Sequence, residues 1–85
     1  MNTNKIRFDT SALRARILEK YDSIESFAKA VRMKPKTLLS RLDNHSDFYQ
    51  YEMLRIRSAL NLTVEEVTIM FFTPEEAIPE ALAQI

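Results

Sequence analysis

The 85-residue chain predicts a single all-α domain, a compact bundle of five short helices with a C-terminal tail. Three observations carry this. Apolar residues recur three and four positions apart almost throughout, helix-starting residues precede most of these runs, and no stretch alternates as a strand would. A chain of this length buries about 60% of its unfolded surface, enough for one core.

Asp9, Thr10 or Ser11 caps the first helix, which runs to about Tyr21 with Leu13, Ile17 and Tyr21 on one face. Asp22 and Glu25 form a capping box for the second, where Ile24, Phe27, Ala28 and Val31 make the apolar stripe. After Arg32-Met33-Lys34 comes Pro35, suited to a first helical turn because its missing N–H would be unpaired there. The third helix then runs to about Asp43 and buries Leu38 and Leu42, Asn44 serves where a glycine would normally end it, and residues 44–47 form a loop. The fourth covers about Tyr49 to Leu60 with Met53, Ile56 and Leu60 inward, and Asn61 stops it in the left-handed conformation. Thr63 and Glu66 box the start of the fifth, whose inward face is Val64, Val67 and Phe71. Thr73-Pro74-Glu75-Glu76 repeats the start signal before the acidic tail, residues 74–85.

Composition excludes several classes. Without cysteine there is no disulfide framework and no thiolate metal site, and a lone histidine lacks ligand partners. No cofactor or metal is expected, and His45 reads as a solvated loop side chain. The longest apolar run, Ile69 to Phe72, cannot span a bilayer, and the amino terminus lacks a signal-peptide core, so a cytoplasmic protein without a membrane partner is expected. There is no glycine-rich phosphate loop and no nucleophile–base pair, so an enzyme is not expected. Glu65-Glu66 and Glu75-Glu76 sit at helix starts, where the macrodipole favours acids.

Twelve bases balance twelve acids, which taken whole argues against nucleic acid. The distribution reverses that. Residues 1–62 hold all twelve bases and seven acids, a net +5, whereas residues 63–85 hold five acids and no base. Lys29, Arg32, Lys34, Lys36 and Arg41 fall in an acid-free run, a phosphate-binding footprint or a solvated face.

The second and third helices also meet the steric demands of a helix-turn-helix. Ala28 is the small residue where the helices approach, Arg32-Met33-Lys34 is the sharp turn, and Leu38 anchors the second helix. Phe27, Val31, Met33 and Leu42 supply the surrounding apolar contacts.

With these residues in place, FAKAVRMKPKTLLSRL resembles the helix-turn-helix of the Cro and phage-repressor type, with a lambda-repressor-like fold. The longer stretch from Phe8-Asp9 through Leu42-Asp43-Asn44 to Phe71-Phe72-Thr73 is similar to small prophage-encoded regulators of Gram-positive bacteria. The resemblance covers residues 8–73. It implies a DNA-binding domain at 9–73 and a recognition helix lying in the major groove of an operator. Lys34, Pro35, Lys36, Leu39 and Ser40 would face the bases, consistent with an outer face opposite Leu38 and Leu42. The family often places glutamine where Ile24 stands, so phosphate anchoring passes to Ser23, Ser26, Lys29, Arg41, Lys5 and Arg7, the last two in an amino-terminal arm of residues 1–8 expected to be flexible. The turn position usually held by glycine is Arg32, which predicts a non-glycine residue at positive φ. Tyr49 and Tyr51 are expected to pack at the start of the fourth helix.

One recognition helix reads few base pairs, so a homodimer is expected. Ile69, Met70 and Phe72 exceed what one stripe of the fifth helix buries, and with Leu82 and Ile85 they form the candidate dimer interface. A second reading stays open: an antirepressor, modulator or antitoxin that uses the fold, and its acidic end, to bind another phage regulator.

Overall fold

Apolar spacing and local capping divide the chain into five helices, and the computed structural model describes residues 6–76 of it. They are α1 (Ser11–Lys20), α2 (Ile24–Ala30), α3 (Pro35–Leu42), α4 (Gln50–Leu60) and α5 (Val64–Phe72). Among the described residues there is no strand, and an isolated antiparallel bridge joins Phe8 to Pro74. The core forms where the stripes converge: Leu13 and Ile17 of α1, Phe27 of α2, Leu38 of α3 and Ile56 of α4 are fully buried. Phe71 of α5 closes it against Phe48, ring centroids 5.1 Å apart and edge to face. No helix among the described residues is long and apolar enough to cross a membrane.

The caps explain where the helices begin. Thr63 and Glu66 form the expected box: the Glu66 N–H donates to Thr63 Oγ1 at 3.1 Å, and the Thr63 N–H donates to Glu66 Oε1 at 3.0 Å. At α2 the box lies one residue later than expected. Ser23, not Asp22, is the cap. Its hydroxyl accepts from the Ser26 N–H at 3.1 Å, and its own N–H donates to Ser26 Oγ at 3.2 Å. That register makes Ile24 the first helical residue, half-buried against the core.

Helix ends without glycine fall to three other residues. Arg32, Asn44 and Asn61 take φ values of 60°, 63° and 53°. Each stands just beyond a helix in the same pair of backward bonds. After α2, Arg32 N–H donates to Lys29 O at 3.2 Å and Met33 N–H to Ala28 O at 2.8 Å. After α3, Asn44 bonds Arg41 O and His45 bonds Ser40 O; after α4, Asn61 bonds Ser58 O and Leu62 bonds Arg57 O. This is the Schellman closure, which needs a left-handed residue and often carries an apolar contact just after it, as it does after α2 and α4. Met33 and Leu62, both buried, provide that contact.

Three expectations change. The stripe of α5 is rotated toward Met70, on the side where Glu66 pairs with Arg16 of α1. Met70 is therefore buried in the protomer core and Val64 is 61% exposed, the reverse of what was expected. Residues 6–8 are held rather than free as part of a flexible arm. Asp9 N–H donates to Thr73 O at 2.8 Å, Glu75 N–H to Arg7 O at 2.9 Å, and the Arg7 guanidinium pairs with Glu75 at 3.0 Å. Pro74 joins the bridge to Phe8, and Pro74 to Glu76 are not helical, so the start signal there opens no helix among the described residues. Lys5, Leu82 and Ile85 lie outside the described residues.

Candidate nucleic-acid interface

The geometry of the site starts at Ala28. Fully buried and one methyl in size, it lets α3 approach α2, while Val31 and Met33 bury the turn and Leu38 and Leu42 seat α3 on the core. With one face of α3 fixed inward, the other faces outward. Lys34, Pro35 and Lys36 are exposed, Leu39 is 39% exposed, and Ser40 is half-buried. Lys29 and Arg32 are exposed on α2 and in the turn. A groove runs from the first turn of α2 to the start of α3, lined by Ser23, Glu25, Ser26, Lys29, Arg32 and Lys34.

Electrostatics separates this face from the rest. Away from it, every described base is engaged. Arg7 pairs with Glu75, Arg14 with Asp43, and Arg16 with Glu66 and Glu19. Lys20 donates to Leu60 O, Arg57 donates to Leu62 O, and Arg55 lies over the Tyr51 ring at 4.9 Å. Among the described residues, Lys29, Arg32, Lys34 and Lys36 have no ion pair or side-chain hydrogen bond. Four positive charges without an ion pair among the described residues thus gather on one surface, with Glu25 the acid that shares the groove.

Arg41 departs from its expected role. Its Nε and Nη2 donate to the two carboxylate oxygens of Glu52 at 3.0 and 3.1 Å, and Nη1 donates to Ser46 Oγ at 2.7 Å. Its charged carbon sits 4.8 Å from the Tyr49 ring centre. The guanidinium is neutralised and largely buried, so a backbone phosphate finds no free charge there. Ser23 and Ser26 spend their side chains on each other. Tyr49 and Tyr51 are more than half exposed and lie tilted against one another, ring centroids 5.7 Å apart, instead of packing inward.

Glu52 is the residue sequence reasoning missed. It is 3% exposed. Burial pushes its carboxyl up, but hydrogen bonds from Arg41 and the Tyr49 N–H at 2.8 Å, with the charges of Arg41 and Arg55, hold it below the ordinary range. Arg41 is raised in turn, chiefly by the bond to Glu52. The pair ties the end of α3 to the start of α4. Asn44 was expected only as a helix stop; its amide also donates to Phe8 O and accepts from Phe8 N–H, both at 2.8 Å. Thr10 donates to Leu42 O at 2.9 Å. The end of α3 is therefore clamped from several sides while its outer face stays open.

His45 is exposed, and among the described residues no group of three or more His, Cys, Asp or Glu could hold a metal ion. A family model described as "Protein of unknown function (DUF739)" matches residues 6–74. No curated protein matches the chain.

Proposed function

The chain belongs to the DUF739 family, and we propose that it is a sequence-specific DNA-binding transcriptional regulator, a Cro-like repressor of a prophage switch. One observation supports this above the others: the described bases without a partner, Lys29, Arg32, Lys34 and Lys36, all lie on the surface of α2, the turn and the start of α3. Lys36 donates to guanine O6 and N7, Leu39 lies against a thymine methyl, and Ser40 forms a single hydrogen bond to a base edge. Lys34 and Pro35 face the bases beside them, whereas Lys29 and Arg32 meet phosphates, positioning the helix without reading sequence. Arg41 is left out of the phosphate contacts because Glu52 already holds it.

The protein works as a dimer on paired half-sites. Ile69 and Phe72 of α5, 57% and 51% exposed, form the described part of that interface, and Met70 drops out of it. The same exposed residues favour the second reading, in which the surface engages another phage regulator.

Selection from random duplex DNA followed by gel shift tests the proposal. A recovered motif whose binding is lost in Lys36→Ala supports DNA reading. No enrichment, with a regulator co-purifying instead, supports the second reading.

A further inference from the structure

The hydroxyl of Ser40 does not stand alone on the outer face of α3. Its oxygen lies 2.8 Å from Ser46 Oγ, across the turn that ends the helix. Ser46 Oγ in turn accepts from Arg41 Nη1 at 2.7 Å, and Arg41 is gripped by both oxygens of buried Glu52. Four side chains form one chain, running from a buried carboxylate on α4 to a partly exposed hydroxyl on α3.

The donor inventory gives that chain a direction. Arginine only donates, so one lone pair of Ser46 is committed to accepting. A hydroxyl that accepts a charge-assisted bond becomes a stronger donor, because hydrogen bonds in series polarise one another. Its best acceptor within reach is Ser40 Oγ. With Ser46 as the donor, Ser40 accepts and its own proton is left to point away from the network.

We infer that Ser46 is a positioning residue that orients the Ser40 hydroxyl as a donor toward the bound DNA, with Glu52 and Arg41 fixing the direction. This rests on the function proposed above and deepens it by assigning the polarity of one contact. A donor at this position suits guanine O6 or N7, adenine N7 or thymine O4. It disfavours the cytosine edge, whose exocyclic group in the major groove is itself a donor. Without the chain, the serine hydroxyl rotates freely and accepts as readily as it donates.

The test is selection from random duplex DNA with the full-length wild type, Ser40→Ala, Ser46→Ala and Ser46→Thr, each checked for folding by its melting curve. Wild type is expected to disfavour cytosine at the one position where Ser40→Ala loses its preference. Ser46→Ala should lose about five-fold of discrimination at that same position, the scale of one hydrogen bond. Other positions and the salt dependence should stay unchanged, because no phosphate contact is touched. Ser46→Thr, which keeps the hydroxyl, should restore the preference. A merely structural role would weaken all positions together. A folded Ser46→Ala with wild-type preference there, a wild-type preference for cytosine there, or an unchanged preference in Ser40→Ala overturns the inference while leaving the proposed function standing. No enriched sequence with wild type overturns the function and the inference with it.

Discussion

The two faces of α3 are built on opposite rules. The inner face and the end of the helix are saturated: Leu38 and Leu42 are buried, Arg41 is bound by Glu52, and Asn44 clamps Phe8. The outer face is left unsatisfied, with Lys34 and Lys36 exposed and unpaired among the described residues. A helix that reads another molecule needs both. Its position must be fixed by contacts that do not depend on the ligand, and its outward charges must not be spent within the protein. The difference teaches that a base in this chain is not interchangeable with its neighbours. Arg41 and Lys36, five residues apart on one helix, stand in opposite settings, the first held by a buried carboxylate and the second exposed.

Breaking the supporting side should have the largest effect. Glu52→Ala leaves the Arg41 guanidinium buried and unpaired, a loss expected to cost about 3–5 kcal/mol in chemical denaturation. Lys36→Ala, on the other face, should leave stability within about 0.5 kcal/mol of wild type. Equal losses in the two variants would erase the distinction between the faces.

The same pair makes stability depend on pH. Because the Glu52 carboxyl titrates lower in the folded chain than in the unfolded one, its contribution is complete above the ordinary glutamate range. It is lost as pH falls from that range through the depressed folded value, where the folded state must take up a proton it binds poorly. Melting temperatures of wild type and Glu52→Gln should therefore converge on acidification. A gap that holds constant from neutral to acid would mean the Glu52 carboxyl is not held low in the folded chain.

Smaller effects sharpen the comparison at the helix ends. Asn44→Gly keeps the left-handed backbone but deletes two hydrogen bonds to Phe8, so about 1–2 kcal/mol of stability should disappear. Arg32→Gly should work in the opposite direction, because a side chain at positive φ costs about 1 kcal/mol that glycine does not incur. A melting temperature that falls in Arg32→Gly would contradict the left-handed turn.

Much of this was legible in the sequence. The five helices, the bundle and the three non-glycine helix ends follow from local rules, because spacing, capping and left-handed stops are decided within a few residues. What was misplaced depended on distant partners. The sequence offers two overlapping boxes before α2, Asp22 with Glu25 and Ser23 with Ser26, and local chemistry does not choose between them. The stripe of α5 is turned toward Met70, where Arg16 holds Glu66, fifty residues away in sequence. Glu52 does not stand out in the sequence because glutamates are almost never buried unless paired. The available signal was that Tyr49, at the start of α4, has no short side chain to cap it, so Glu52 three residues on is the group able to take up its N–H. The unpaired state of four bases was visible only in part, as an acid-free run that wrongly included Arg41.

The central claim is that the face carrying Lys29, Arg32, Lys34 and Lys36 on α2, the turn and the start of α3 is the surface that meets DNA. It is tested most directly by the salt dependence of affinity for a selected duplex, measured for wild type, Lys29→Ala and Arg16→Ala. Each phosphate contact contributes close to one unit of slope in log affinity against log salt. Lys29→Ala should lower the slope by about one and weaken binding to all sequences alike, whereas Arg16→Ala, whose charge is held by Glu66 and Glu19, should leave it unchanged. Equal slopes for Lys29→Ala and wild type, or an equal drop in both variants, would contradict the account.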